Sequence, residues 1–324
     1  MFLFADEAWS ALAAGLASSL GVKTGGFDAA RFTNGEIYIR LQAQVRGEEC
    51  AILGSVAPPG EQMLHTLLLA DTLKKEGARR VTAILPYLAY ARHDKDKPGE
   101  SLAAAWLGAM MRASGVDDVI TVDLHSERAA RLLALPVRSI SPAPIFAAAL
   151  RQCGWSEATI LAPDEGAIGR SEAVQVALGR SARAVPYFEK RRTEHGIVHT
   201  ALIGEAGAQV VIVDDILDTG ATLMSACEKL TQAGVREINV MVTHGLFTGD
   251  RWKKLFELGV ERIFCTDSIP LPPHLDVSRI VRLPIAPLLV QAMTGSGAGG
   301  CAISGSFHPS RSPLRPKTDS TDVR

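Results

Sequence analysis

The five cysteines of this 324-residue chain are scattered, and none forms a CxxC pair. That argues against a disulfide framework or a zinc site. Neither charge sign prevails. The 34 Lys and Arg nearly balance the 35 Asp and Glu, leaving −1, so there is no bulk electrostatic case for nucleic acid or an anionic membrane surface. No apolar run is long enough to span a bilayer. In Met1–Gly21, Asp6 and Glu7 precede the apolar residues, the reverse of a secretory leader. A reduced, cytoplasmic setting without membrane or nucleic-acid partners is expected.

Apolar material is abundant. Hydrophobic residues are 47% of the chain and charged residues 21%, enough for real cores. The length suggests two domains. Strands are expected at Cys50–Val56, Val81–Pro86, Val119–Leu124, Thr159–Ala162, Val210–Asp214, Ile238–Thr243 and Arg262–Thr266. Helical patterns at Glu61–Glu76, Glu100–Ser114, Gly166–Leu178 and Thr222–Ala233 alternate with them, and Gly77, Gly115 and Gly234 stand where C-caps belong. Continuous apolar strands alternating with helices imply parallel sheets covered on both faces.

The halves resemble each other. Leu67–Tyr90 and Thr222–Phe247 both read as helix, glycine turn, charged pair and strand, with Gly77 and Gly234 separated by 157 positions. Gly115-Val116-Asp117-Asp118-Val119-Ile120 is echoed 144 positions later by Gly259-Val260-Glu261-Arg262-Ile263-Phe264. Two copies of one α/β unit explain both offsets. Beyond Gly295 the chain turns rich in Gly, Ser, Pro and basic residues, and 295–324 is expected to be a flexible tail.

The copies differ where chemistry would sit. After its strand the first has Ser55-Val56-Ala57-Pro58-Pro59-Gly60. The second has Asp214-Asp215-Ile216-Leu217-Asp218-Thr219-Gly220-Ala221-Thr222 and then a helix. Loop amides and hydroxyls at a helix N-terminus suit a phosphate, and the carboxylates suit sugar hydroxyls or Mg²⁺. A capped helix explains one of these side chains, but not three carboxylates.

This loop resembles the phosphoribosyl diphosphate (PRPP) loop of type I phosphoribosyltransferases and PRPP synthetases. Five further segments, in order, resemble the synthetases: Arg31-Phe32-Thr33-Asn34-Gly35-Glu36-Ile37-Tyr38-Ile39-Arg40, Pro86–Asp94, Val119–Ser126, Ala162–Arg170 and Phe188–Arg192. Together they span about Arg31 to Pro284. The resemblance implies an α/β fold of two tandem phosphoribosyltransferase-like (type I) domains, each a mostly parallel sheet flanked by helices. The first, at 1–141, would hold ATP, and the second, at 142–294, ribose 5-phosphate.

It also implies an activity, transfer of diphosphate from ATP to C1 of ribose 5-phosphate, giving PRPP and AMP. Lys190 and Arg192 become the catalytic candidates. Phe32, Asn34, Glu36, Arg92 and Asp94 become ATP contacts, and Asp214, Asp215, Asp218, Thr219, Gly220, Ala221 and Thr222 the ribose 5-phosphate site. Mg²⁺ is implied at His125 and Asp164, and a homo-oligomer built from dimers, up to a hexamer, is implied as the assembly. Two other readings share the loop: a phosphoribosyltransferase that consumes PRPP, and a catalytically silent regulatory homologue. The sequence departs from the family pattern at Asn34, where Asp is usual, and at Ala221, where Gly is usual. A methyl at Ala221 is expected to crowd the phosphate or shift the loop.

Overall fold

The computed structural model describes residues 1–180, 184–193, 196–272, 274–295 and 302–303, with the side chains of 190–193, 196–200 and 302–303 outside that description. The first half runs β1 (Phe2–Ala5), α1 (Ser10–Leu20), β2 (Lys23–Thr24), β3 (Phe27–Arg31), β4 (Ile37–Leu41), β5 (Glu49–Leu53), α2 (Glu61–Lys75), β6 (Arg80–Ile84), α3 (Ala103–Ala113), β7 (Asp118–Val122), α4 (Glu127–Leu133) and β8 (Val137–Ile140). The second runs α5 (Ala143–Gln152), β9 (Thr159–Leu161), α6 (Ile168–Ala177), β10 (Tyr187–Thr193), β11 (Gly196–Ile203), β12 (Gln209–Leu217), α7 (Ala221–Gln232), β13 (Glu237–Gly245), α8 (Lys254–Glu257), β14 (Val260–Thr266), β15 (Ile280–Leu283), α9 (Ala286–Thr294) and β16 (Ala302–Ile303).

The two sheets share one strand order. The first contains β8-β7-β6-β5-β1, the second β15-β14-β13-β12-β9, with every pair in both runs parallel. β2 extends one end of the first sheet, and β16 pairs antiparallel with β8 at the other. Each unit also carries an antiparallel hairpin at the same place in its order, β3–β4 and β10–β11. The duplication read from the two offsets is thus present in the topology.

Continuous apolar strands form because both faces are covered. Ile52 packs under Leu69 and Leu73 of α2, while its neighbours Ala51 and Leu53 pack on the opposite face with Leu16 of α1. In the second sheet Ile212 meets Leu223 and Leu230 of α7, whereas Val211 and Val213 meet Phe146 of α5. Side chains alternate across a strand, so each run feeds two cores. The three glycine C-caps are matched structures. Gly77, Gly115 and Gly234 have φ of 87°, 82° and 87°, and Ala78, Val116 and Val235 each bond back to the helix carbonyl five residues earlier. That is the Schellman geometry, which favours glycine because a side chain is strained at such φ.

The closing helices are exchanged. α5 follows the first sheet in the chain but packs on the second. α9 follows the second sheet yet places Leu289 and Ala292 against Leu16 and Leu53 of the first. Residues 286–294 therefore pack on the first sheet, although they follow the second in the chain. Both helices open with an Ala-Pro pair, Ala143-Pro144 and Ala286-Pro287, which suits a helix start. Among the described residues no helix is long and apolar enough to cross a membrane.

Candidate functional site

β12 is longer than the sequence suggests. It runs through the acidic pair to Leu217, because Ile216 and Leu217 pair with His244 and Gly245 of β13. The carboxylates consequently sit on a rigid strand, with Asp215 buried and Asp214 nearly so. The loop then turns at Gly220, whose φ is 82° and whose missing Cβ would lie 3.0 Å from the Trp252 Cα. α7 starts at the next residue. The amides of its first turn lack intrahelical acceptors by the geometry of any helix start, which makes that turn ready for an anion. Thr219 is exposed at the loop tip. Ala221 is partly buried and packs on the second core.

The first unit meets this loop directly. His125, just past β7, places Nδ1 2.6 Å from Asp215 Oδ2. Arg92 places Nη1 3.2 Å from Asp218 Oδ2. Arg170, on α6, lies among three carboxylates, 3.5 Å from Asp214 Oδ1, 3.6 Å from Asp215 Oδ2 and 3.6 Å from Asp123 Oδ2. Asp123 belongs to the first unit and the other two to the second, so one guanidinium spans the junction.

The charges settle into a definite pattern. Burial, then Asp215, raise the Asp214 carboxyl well above the ordinary range, against the pull of Arg170. Burial opposes ionisation of Asp215 as well, but the His125 hydrogen bond and Arg170 hold it below that range. The two carboxyls are pushed apart in their readiness to ionise, as expected when two such groups share one buried site. Burial also works against the Arg170 cation, yet Asp123, Asp215, Asp214 and Asp164 outweigh it and raise its pKa. An ionised Asp215 can only accept, so His125 Nδ1 carries the proton in their bond and the Nε2 lone pair is left for a cation.

The remaining expected residues divide. Asp164 follows β9 and accepts the Gly166 amide at 3.0 Å, within the electrostatic reach of Arg170 and Asp214. Asp94 is buried and takes the Ser126 hydroxyl at 2.6 Å, while the Ser126 oxygen caps α4 at the Ala129 amide. That places Asp94 in the support of the His125 loop, not on an exposed ATP surface. Phe32, Asn34 and Glu36 form the turn of the β3–β4 hairpin, where the Asn34 side chain accepts the Glu36 amide and the Phe32 ring, 56% exposed, leans on Tyr38. None of the three shares a hydrogen bond or ion pair with Arg92, His125 or the Asp214–Thr222 loop among the described residues. Lys190 and Arg192 lie on β10, opposite His199 and Ile197 of β11, and their side chains are outside the described residues.

Sequence reasoning assigned no role to Arg170, Asp123, Thr243 or His244. Arg170 and Asp123 stand inside quoted motifs, but nothing in a linear pattern shows that an arginine from one unit faces an aspartate from the other.

Comparison with known proteins agrees with this geometry. The N-terminal domain of ribose phosphate pyrophosphokinase matches residues 1–115, and the phosphoribosyl synthetase-associated domain matches residues 174–295. Ribose-phosphate pyrophosphokinase from Corynebacterium efficiens is 32% identical over 300 residues, covering 91% of this chain and 92% of its own. The enzyme of the same name from Ralstonia nicotianae is 30% identical over 300 residues, covering 91% and 94%. The crystal structure of phosphoribosylpyrophosphate synthetase from Mycobacterium smegmatis superposes with a TM-score of 0.80 at 28% identity, covering 91% of this chain and 99% of that one. With two domain models and relatives of this similarity over nine-tenths of its length, the chain belongs to the ribose-phosphate pyrophosphokinase (PRPP synthetase) family.

Proposed function

We propose that the chain transfers the diphosphoryl group of ATP to the C1 hydroxyl of ribose 5-phosphate, giving PRPP and AMP. The observation that carries this reading is the His125–Asp215 contact. It joins a cation-binding group of one unit to a sugar-binding carboxylate of the other at the C-terminal edges of both sheets, where open α/β folds bind their ligands.

In this reading the loop from Asp218 to Thr222 holds the 5-phosphate through amides and hydroxyls. Asp214 and Asp215 hold the ribose hydroxyls. Arg92 turns from Asp218 to the ATP phosphates when these arrive. Lys190 and Arg192, on the β10–β11 hairpin, neutralise charge on the phosphoryl group in transfer.

Magnesium fits the donor set. Among the described residues no group of three or more His, Cys, Asp or Glu forms a ready-made metal cage. Mg²⁺ is ordinarily held by one or two protein groups plus substrate phosphates. His125 and Asp164 would supply them. When bound, the cation neutralises the bridging and leaving oxygens of ATP. Phe32, Asn34 and Glu36 stand on the β3–β4 hairpin and would contact adenine, which in a homo-oligomer could be that of a second copy.

The test is direct. Purified protein incubated with Mg·ATP and ribose 5-phosphate should yield AMP and PRPP in equal amounts. AMP no higher than the background without ribose 5-phosphate would overturn the reading.

A further inference from the structure

Two consecutive residues of the second unit grip two consecutive residues of the first. Thr243 Oγ1 donates to the Asp123 carboxylate. His244 Nε2 lies 3.1 Å from the Val122 carbonyl. Two residues beyond Asp123 stands His125. On the other side, His244 pairs in register with Ile216, the residue after Asp215. The grip therefore adjoins, on both sides of the junction, the two groups that meet at 2.6 Å in the site.

Its chemistry fixes which nitrogen of the ring donates. A carbonyl only accepts, so His244 Nε2 must carry a hydrogen. Burial lowers the ring's pKa in spite of Asp123 and Asp215, which favours the uncharged form. Nδ1 is then an acceptor, and the Ser268 hydroxyl at 2.8 Å supplies its hydrogen. Thr266 Oγ1 donates to the Thr243 carbonyl at 2.6 Å, and the Ser268 amide donates to Thr266 Oγ1 at 3.2 Å. Thr243, His244, Thr266 and Ser268 are all at most 2% exposed. A buried polar cluster is costly unless satisfied, and once satisfied it allows little displacement.

We propose that Thr243 and His244 are positioning residues that set the two sheets at the separation on which the His125–Asp215 contact depends. Neither is a catalytic residue, since burial keeps both from substrate. The claim rests on the reading that His125 and Asp215 serve one reaction.

Three full-length variants test it beside the wild type. His244→Asn removes the reach to Val122. His244→Gln keeps an N–H near the Nε2 position. Thr243→Val preserves shape without the hydroxyl. The Asn variant should lose kcat by about a hundredfold, the loss expected from a misplacement of about 1 Å. Its KM for ATP and for ribose 5-phosphate should each stay within about threefold, as for a loss confined to the transition state. The Gln variant should recover to within about fivefold of wild type, and Thr243→Val should lose about tenfold in kcat. A merely structural role would lower the melting temperature without separating Gln from Asn. Wild-type kcat in His244→Asn, or equal damage in both His244 variants, overturns the proposal while leaving the proposed function standing. If His244→Asn does not fold, unchanged kcat in Thr243→Val overturns it. A wild-type protein that forms no AMP removes the proposed function and this claim together.

Discussion

Tyr87 and His244 occupy the same position in the two copies, 157 residues apart, and their rings pack on one another with centroids 4.7 Å apart. The residues three further on match as well. Tyr90 and Phe247 both adopt left-handed backbone, at φ 67° and 49°, which bulky side chains seldom do.

Burial of His244 has a consequence for pH. Its folded pKa lies below the ordinary histidine value, and Asp123, Asp215 and Tyr87 are the titratable groups that face it. Below pH ~6.5 the unfolded chain takes a proton that the folded chain refuses. The stabilisation is complete above that value and is lost as pH falls through the folded pKa. Stability should drop by up to about 1.4 kcal/mol per pH unit from this one group. Chemical denaturation between pH 7.5 and 5.5 measures the slope, and His244→Gln should flatten it.

His125→Ala removes the contact between the units, and Asp215→Asn takes the charge out of it. His125→Ala should lower kcat by about a hundredfold, the scale of a lost electrostatic contact to reacting phosphates. Steady-state assays across Mg²⁺ concentration separate them. His125→Ala should raise the Mg²⁺ needed for half activity, whereas Asp215→Asn should chiefly raise KM for ribose 5-phosphate.

Arg170 is the cation among four aspartates. Arg170→Met should destabilise the fold by about 3–5 kcal/mol, since it leaves buried carboxylates without their counter-charge. Guanidinium unfolding gives this directly. A loss under about 1 kcal/mol would mean that the carboxylates simply take up protons.

Adjacent loop positions should behave oppositely. Gly220→Ala forces a left-handed alanine against the Trp252 backbone and should raise KM for ribose 5-phosphate along with a stability loss of about 1–3 kcal/mol. Ala221→Gly removes a methyl that packs on the core. Its cost should be about 0.5–1 kcal/mol, with KM shifted far less than in Gly220→Ala. Melting curves and steady-state kinetics on the two variants decide both.

Lys190→Ala should reduce kcat by about a hundredfold or more while leaving the melting temperature near wild type. The residue is on a hairpin outside both main sheets, so little of the fold depends on it. A loss under about fivefold would take Lys190 out of the catalytic role.

Much of this was legible in the chain itself. Val210 to Val213 announced a strand buried on both faces, and the acidic pair with Asp218-Thr219-Gly220 announced a sugar-phosphate loop. Offsets of 157 and 144 announced the repeat. The β3–β4 and β10–β11 hairpins were harder to read, because their strands stand outside either main sheet and carry no continuous apolar run like Val210 to Val213. Asp94 misled for a different reason. Its run of alternating charges looks solvated, and only the fold brings Ser126 to it. The cross-unit contacts of Arg170, Thr243 and His244 join residues that are distant in sequence or belong to different units, and no local pattern encodes that.

The seat of α9 on the first sheet binds the two halves more tightly than their sequence similarity suggests. The second half lends the first one wall of its core. Severed near Ile140, an isolated first half would leave Leu16 and Leu53 without the Leu289 face, and an isolated second half would carry α9 with nothing to cover. The enzyme should therefore melt in one cooperative transition, and co-expressed halves should reassemble where either alone aggregates.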